Sequence, residues 1–463
     1  MSDKVYDAVI VGAGMSGLAA GVRLAQYERN VCILEKHSMI GGLNSFYRRG
    51  GRNYDVGLHA MTNYVPKGTK VGPLARIIRH LRMPWDEFGL TQQNGSSIAF
   101  PGVELNFTND FELFESEIAK HFPTQIDGFR RMVAGLAGYD QLGDGTAGGS
   151  AREYVSQHIS DPQLVDMIFC PLLYYGGARE QDMEFGQFCV MFRSIFLEGF
   201  ARPFDGVRHI LLKLLKKFRS LGGELRLKSG VSRLETRNGE VSSVVLESGE
   251  EIRARRFLSS AGWPETMKLC GAQPEVVDQC PAGKLAFIET ISVLDTPPKK
   301  FGHDKTIIFF NDSERFDYRN PDALVDYRSG VVCSPNNFAY SKPLEENMMR
   351  ITALANYDLW RKLSPEEYKR EKLRWYEKTL ESAARFVPEF RGHVIDVDMF
   401  TPLTIERFTG RVRGAIYGAS DKKYDGTTPF KNLFVCGADQ GMVGVVGALV
   451  SGVVIANRYA LVD

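Results

Sequence analysis

Residues 5–17 read VYDAVIVGAGMSG, and this stretch constrains the chain more than any other. VYDAVIV is a sheet-prone, largely apolar run expected to form a buried strand. SGLAAGVRLAQ repeats its apolar residues at helical spacing. Between the two lie Gly12, Gly14 and Gly17. The first allows a tight turn out of the strand, the second lets backbone approach a pyrophosphate, and the third lets helix pack closely on strand. The helix N-terminus then offers free N–H groups and the positive end of its dipole to phosphates.

A second strand, NVCILEK, ends at Glu35. It lies roughly 20 residues beyond the glycines, where a carboxylate accepts hydrogen bonds from a ribose. The same glycine spacing recurs at Gly143, Gly145 and Gly148, but after GLAGYDQL rather than a strand and with no acidic strand end downstream. Residues 140–150 are therefore expected to be a flexible loop. Only the N-terminal copy has the context of a dinucleotide site. No second strand–glycine–helix unit appears, so a tight NAD(P) site is not predicted.

With 463 residues the chain is too long for one hydrophobic core, and two or three domains are expected. Its 57 basic and 56 acidic side chains leave a formal charge of +1, which gives no argument for nucleic acid or for an acidic partner. Seven cysteines are scattered without a CxxC, so neither a disulfide framework nor a zinc site is expected, and a reducing compartment fits. No metal-ligand set and no Ser-His-Asp constellation stands out. The N-terminus carries no secretory pattern. No apolar run reaches the length of a membrane span. The nearest, GMVGVVGALVSGVVIANRYALVD, reads as a buried helix.

The string LEKHSMIGGLNSFYRRGGRNYDVGLHAMTNY resembles the FAD fingerprint of the amine-oxidase/phytoene-desaturase superfamily. The resemblance implies that Gly41 and Gly42 bring backbone near the cofactor phosphates, with Lys36 beside them. It also implies that Asp55-x-Gly57-x-His59 comes down beside the isoalloxazine. At the other end, KNLFVCGAD reads as a strand into a turn ending at Asp439, and QGMVGVVGALVSGVVIANRYA as a helix. By the same resemblance Asp439 binds the ribitol hydroxyls, Gly437 and Val446 also border the cofactor, and the helix N-terminus faces the flavin pyrimidine. Between these ends, residues 204–262 read as a helix, a strand and a hairpin, with turns at Arg237-Asn238-Gly239 and Glu247-Ser248-Gly249. The family pattern places the Val231 backbone on the adenine. The basic run HILLKLLKKFRSL reads as a sheet-covering helix with a solvated lysine face, with a membrane-surface helix as the other reading.

The expected fold class is thus α/β: a Rossmann-like, two-part FAD-binding domain with an inserted α+β substrate domain. The cofactor domain takes residues 1–105, 204–285 and 395–463, and the substrate domain 106–203 and 286–394. QLVDMIFCPLLYYGG and FGQFCVMFRSIFLEGFARPF are rich in Phe, Met, Leu and Tyr. Such surfaces suit a long apolar ligand and equally an ordinary core. Ser364, Pro365 and Glu367 open a helix with a capping box, to which no chemistry is assigned.

PLTIERFTGRVRGAIYGASDKK followed by CGADQGMVGVVGAL resembles the C-terminal signature of carotenoid isomerases and retinol saturases. Two positions depart from the wider family: Leu43 follows the glycine doublet where many relatives carry Arg, and Val443 stands where some carry Pro. The resemblance implies an FAD-dependent oxidoreductase acting on C–C or C=C bonds of a long polyene, by desaturation, saturation or isomerisation. His59 is the candidate acid or base; it is otherwise a histidine that packs the cofactor. Three rival functions remain: an amine oxidase, an enzyme of lipid acyl chains, and a non-catalytic prenyl-lipid carrier of the GDP-dissociation-inhibitor type. Glu35 and Asp439 weigh against the carrier. The expected partners are a hydrophobic small molecule, an electron acceptor such as a quinone or oxygen, and a membrane surface reached peripherally from the cytoplasm.

Overall fold

A computed structural model describes residues 4–57, 59–136, 139 and 148–462. Gly143 and Gly145, and with them most of the loop expected at 140–150, lie outside the described residues.

The first sheet grows from the opening strand, Val5–Val11. It pairs in parallel with Val31–Leu34 on one side and Glu251–Ser259 on the other. Glu224–Arg226 and Leu433–Val435 extend this parallel core outward. The hairpin of Val231–Arg237 and Glu240–Leu246 adds to it antiparallel. Its turn sits at Asn238 and Gly239, both at positive φ, as a tight hairpin turn requires. Parallel strands covered on both faces must be apolar throughout. Here Ile10 and Ile33 pack toward the helices on one face, while Val9, Cys32 and Leu34 pack toward the hairpin side.

The helix Met15–Ala25 covers the first face together with Val207–Ser220 and the C-terminal helix Gly444–Ile455. Val207–Ser220 turns Ile210, Leu211, Leu214 and Phe218 inward and leaves Lys216 and Arg219 exposed, the sheet-covering arrangement expected for that basic run.

The second sheet runs in the order Val394–Phe400, Ala286–Leu294, Asn347–Ala355, Val325–Cys333, Ile307–Asn311, Ser96–Phe100, Val103–Phe107. All its neighbours are antiparallel except Ile307–Asn311 with Ser96–Phe100. Residues 96–105 and 395–400, grouped with the cofactor part on sequence grounds, thus hydrogen-bond in the second sheet. The helices Pro162–Gly176 and Phe185–Phe192 pack on one face of this sheet through Phe169, Phe188 and Phe192. Most of the apolar side chains in those two segments build core, and only the end of the first helix reaches the site. The other face is covered by Pro365–Ala383 through Trp375, Tyr376 and Leu380, and its Ser364–Glu367 capping box is formed.

All seven cysteines are buried and unpaired. Among the described residues no cluster of metal-ligating side chains occurs, and no helix is long and apolar enough to cross a membrane.

Candidate functional site

A cavity of about 850 Å³ lies between the two sheets. That is within the range of roughly 300–1,000 Å³ found for small-molecule and cofactor sites. Its floor is the opening glycine turn. A Cβ on Gly17 would stand 2.1 Å from the Gly12 carbonyl oxygen, so the third glycine is enforced by close packing. A Cβ on Gly14 would meet no protein atom within 4 Å, although Gly14 lines the cavity. The Gly14 backbone is therefore open to close approach from the cavity. The Gly41 N–H donates to the Ala13 carbonyl at 2.9 Å, and Gly41 holds φ +113°. Gly42 lies against Gly14 backbone to backbone. These two loops form a floor almost free of side chains.

Glu35 clamps this floor from beneath. Its carboxylate accepts the Ala13 N–H at 2.8 Å and the His37 N–H at 2.9 Å. Glu35, Lys36 and Val231 line one end of the cavity, and Lys36 reaches within 3.9 Å of Glu247 on the surface.

The C-terminal segment closes the opposite wall. Gly437, Val443, Gly444 and Val445 line the cavity. The helix begins at Gly444, later than the sequence pattern suggested, after a short turn over Ala438–Gln440. Neither this helix nor Met15–Ala25 has a side-chain cap or an acidic residue in its first turn. Two helix N-termini with open N–H groups thus meet one cavity, an arrangement that favours anionic ligand groups.

Two residues expected on the cofactor stand elsewhere. Asp439 is fully buried at 0 % exposure and does not line the cavity. Its oxygens accept from the Trp263 N–H at 2.6 Å, the Ala419 N–H at 2.8 Å and Arg411 at 3.1 Å. Burial pushes its carboxyl upward, but Arg411, Lys422 and the backbone donors prevail and hold it below the ordinary carboxylate range. Asp439 therefore organises the turns around the cavity. Val446 is buried in the helical core and also stands behind the lining.

The charged groups that line the cavity in this region are Arg411, Glu265 and Lys268. Glu265 accepts the Val412 N–H at 2.8 Å through one oxygen. The other oxygen is buried without a partner, and burial raises the pKa of the carboxyl. An orphaned carboxyl oxygen at the wall is what a hydroxyl-bearing ligand would satisfy. The side-chain-free floor, the two helix ends, Arg411 and Glu265 together fit a dinucleotide.

The rest of the cavity is an apolar arm walled by Tyr174, Tyr175, Phe287, Val331, Ile416 and Tyr417. One polar cluster interrupts it. His59 Nε2 lies 3.2 Å from Glu289 and 3.1 Å from the Thr352 hydroxyl, which itself donates to the same Glu289 oxygen at 3.1 Å. Glu289 also pairs with the buried Arg350. Burial alone would raise the Glu289 pKa, yet Arg350 and His59 bring it down to about 2. Tyr175 lines the arm with a buried hydroxyl that has no partner among the described residues. Sequence reasoning located His59 but missed Glu289, Arg350 and Thr352. The available signal was a carboxylate at the centre of AFIETISVL, a strand buried at all nine positions.

Residues 10–75 match a family described as an NAD(P)-binding Rossmann-like domain. The all-trans-retinol 13,14-reductase of Danio rerio is 23% identical over 537 residues, covering 98% of this chain and 86% of that protein. The chloroplastic prolycopene isomerase of Arabidopsis thaliana is 23% identical, covering 99% and 83%. The 4,4'-diaponeurosporene oxygenase of Staphylococcus aureus is 22% identical, covering 97% of each chain. Among solved structures, an oxidoreductase from Methanosarcina mazei superimposes with a TM-score of 0.69 at 17% identity, over 97% of this chain and 100% of that one. Putrescine oxidase bound to putrescine gives 0.61 at 17% identity, over 98% of each. The fold is therefore shared along the entire length.

Proposed function

From this chain's place in the carotenoid-related branch of the flavin amine-oxidase superfamily, we propose that it is an FAD-dependent oxidoreductase acting on C–C or C=C bonds of a long apolar polyene or isoprenoid. The observation that carries this reading is the continuity of one cavity: a dinucleotide floor at one end and an apolar arm at the other. An amine substrate is disfavoured by the same arm, whose buried charges are already paired with each other.

FAD supplies the two-electron chemistry when bound. Gly12, Gly14, Gly41 and Gly42 would receive its pyrophosphate on backbone, Glu35 and Lys36 its ribose end, and Val231 its adenine. Gly437 and the N-terminus of Gly444–Ile455 would border its ring system. The part built on the first sheet holds the cofactor, and the second sheet with its helices takes the substrate. Tyr174, Phe287 and Val331 exclude water from the arm and align an extended hydrocarbon. His59 is the group that handles a proton there. The further partners of this reading are an electron acceptor such as a quinone or oxygen and a membrane surface met peripherally from the cytoplasm.

The test is the visible spectrum of the purified protein together with mass spectrometry of co-purified lipid. A bound-flavin band with an isoprenoid or polyene is expected. Folded protein that neither contains FAD nor takes it up would overturn the reading in favour of a carrier, and a co-purified polar amine would overturn the substrate class.

A further inference from the structure

Within the apolar arm, the hydrogen bonds around His59 determine which ring nitrogen carries its proton. Glu289 is buried and ionised, so it accepts and cannot donate. The Thr352 hydroxyl donates to the same carboxylate oxygen that His59 Nε2 approaches. Nε2 therefore carries the hydrogen and donates it to Glu289. Nδ1 is then a lone-pair acceptor, and it has no hydrogen-bond partner among the described residues.

We propose that Glu289 is a positioning residue of the reaction: it fixes His59 in the Nε2–H tautomer so that Nδ1 is the atom that exchanges a proton with the substrate carbon. This rests on the function proposed above. Removal of hydrogen from adjacent carbons yields a hydride, transferred to the oxidised flavin, and a proton taken by Nδ1. The electron pair of the second C–H bond becomes the new π bond. In the reverse direction the imidazolium would return the proton to one carbon while the neighbouring carbon receives a hydride from reduced flavin.

The titratable groups around the imidazole support this assignment. Glu289 faces it from Ala286–Leu294, Arg350 and Thr352 from Asn347–Ala355 and Tyr175 from Pro162–Gly176, while Tyr417 also lines the cavity and Cys333 lies near Tyr175 behind it. Burial raises the Tyr175 pKa well above its ordinary value and pushes Cys333 up to about 12. Burial likewise raises Tyr417, whose hydroxyl donates to the Tyr174 carbonyl. These three stay neutral. The Glu289–Arg350 pair is internally compensated, and its carboxylate touches the imidazole. Arg350 is itself anchored on the Val56 carbonyl at 2.8 Å, which ties the pair to the segment carrying His59.

The experiment uses full-length protein. In the wild-type protein stripped of flavin, ¹⁵N NMR of labelled histidine should give His59 as the Nε2–H tautomer. In the FAD-loaded enzyme with a carotenoid hydrocarbon in detergent micelles, Glu289→Gln should lower kcat by about 100-fold while KM stays within about threefold. His59→Gln should lower kcat at least as far, and Glu289→Asp should recover part of the loss. A wild-type Nδ1–H tautomer overturns the proposal, as does an unchanged kcat in Glu289→Gln. If Glu289→Gln does not fold, the wild-type tautomer decides. Failure to take up FAD would count against the function itself, and the tautomer measured without flavin is independent of it.

Discussion

The carbonyl oxygen of Ser16 lies 2.0 Å from where a side chain on Gly452 would begin. The first helix and the last helix cross in backbone contact at that point, and the crossing brings two open helix N-termini to one cavity. A side chain at 452 must separate them. Gly452→Val is expected to destabilise the fold by roughly 1–3 kcal/mol through overpacking and to lower flavin content. Urea unfolding and the ratio of visible to ultraviolet absorbance measure the two effects together.

Gly14→Val separates folding from binding. A Cβ at 14 meets no protein atom, and the backbone there is extended at φ −72°, which any residue adopts. Stability should stay within about 0.5 kcal/mol of the parent, while FAD retention is lost because the new side chain fills the space above the floor. Normal FAD occupancy in this variant would mean that the pyrophosphate lies elsewhere.

Arg411→Met tests the Asp439 cluster. It removes the guanidinium paired with a fully buried carboxylate and leaves only the more distant Lys422, a loss of about 3–5 kcal/mol in comparable pairs. The companion Asp439→Asn should lose less, and its stability should be less sensitive to acid. Because the folded carboxyl titrates below its unfolded value, its contribution is complete above the unfolded pKa and disappears as pH falls through the folded one. Thermal melts between neutral pH and pH about 3 follow this directly.

Glu289 should leave a second signature in acid. Its carboxyl falls from the ordinary range to about 2 on folding. The stability linked to it is therefore full above pH about 4.3, and roughly 3 kcal/mol is lost as pH drops toward the folded value. Glu289→Gln should show a shallower decline over that interval in acid-unfolding curves. A slope equal to wild type would remove Glu289 from the set of depressed carboxylates.

Ile416→Trp narrows the apolar arm without touching the dinucleotide floor. Flavin content is expected to be unchanged while turnover of a carotenoid hydrocarbon falls by about 10-fold or more. Loss of flavin instead would show that the arm belongs to the cofactor.

Local chemistry written into contiguous residues is legible in the sequence by itself. The strand, the three glycines, the helix, Glu35, the Asn238-Gly239 turn and the Ser364 capping box each depend on neighbours a few positions away, so periodicity and turn rules reach them. Only the tertiary structure decided which side chains turn toward the cavity. Asp439 lies beside residues that do line it, yet donors from Trp263 and Ala419 and the cation of Arg411 turn its oxygens inward. Glu289, Arg350, Thr352 and His59 come from three separate stretches of chain and meet because antiparallel pairing sets Glu289 opposite Thr352. Register between distant strands follows from the burial of whole faces, and no short window of sequence records it.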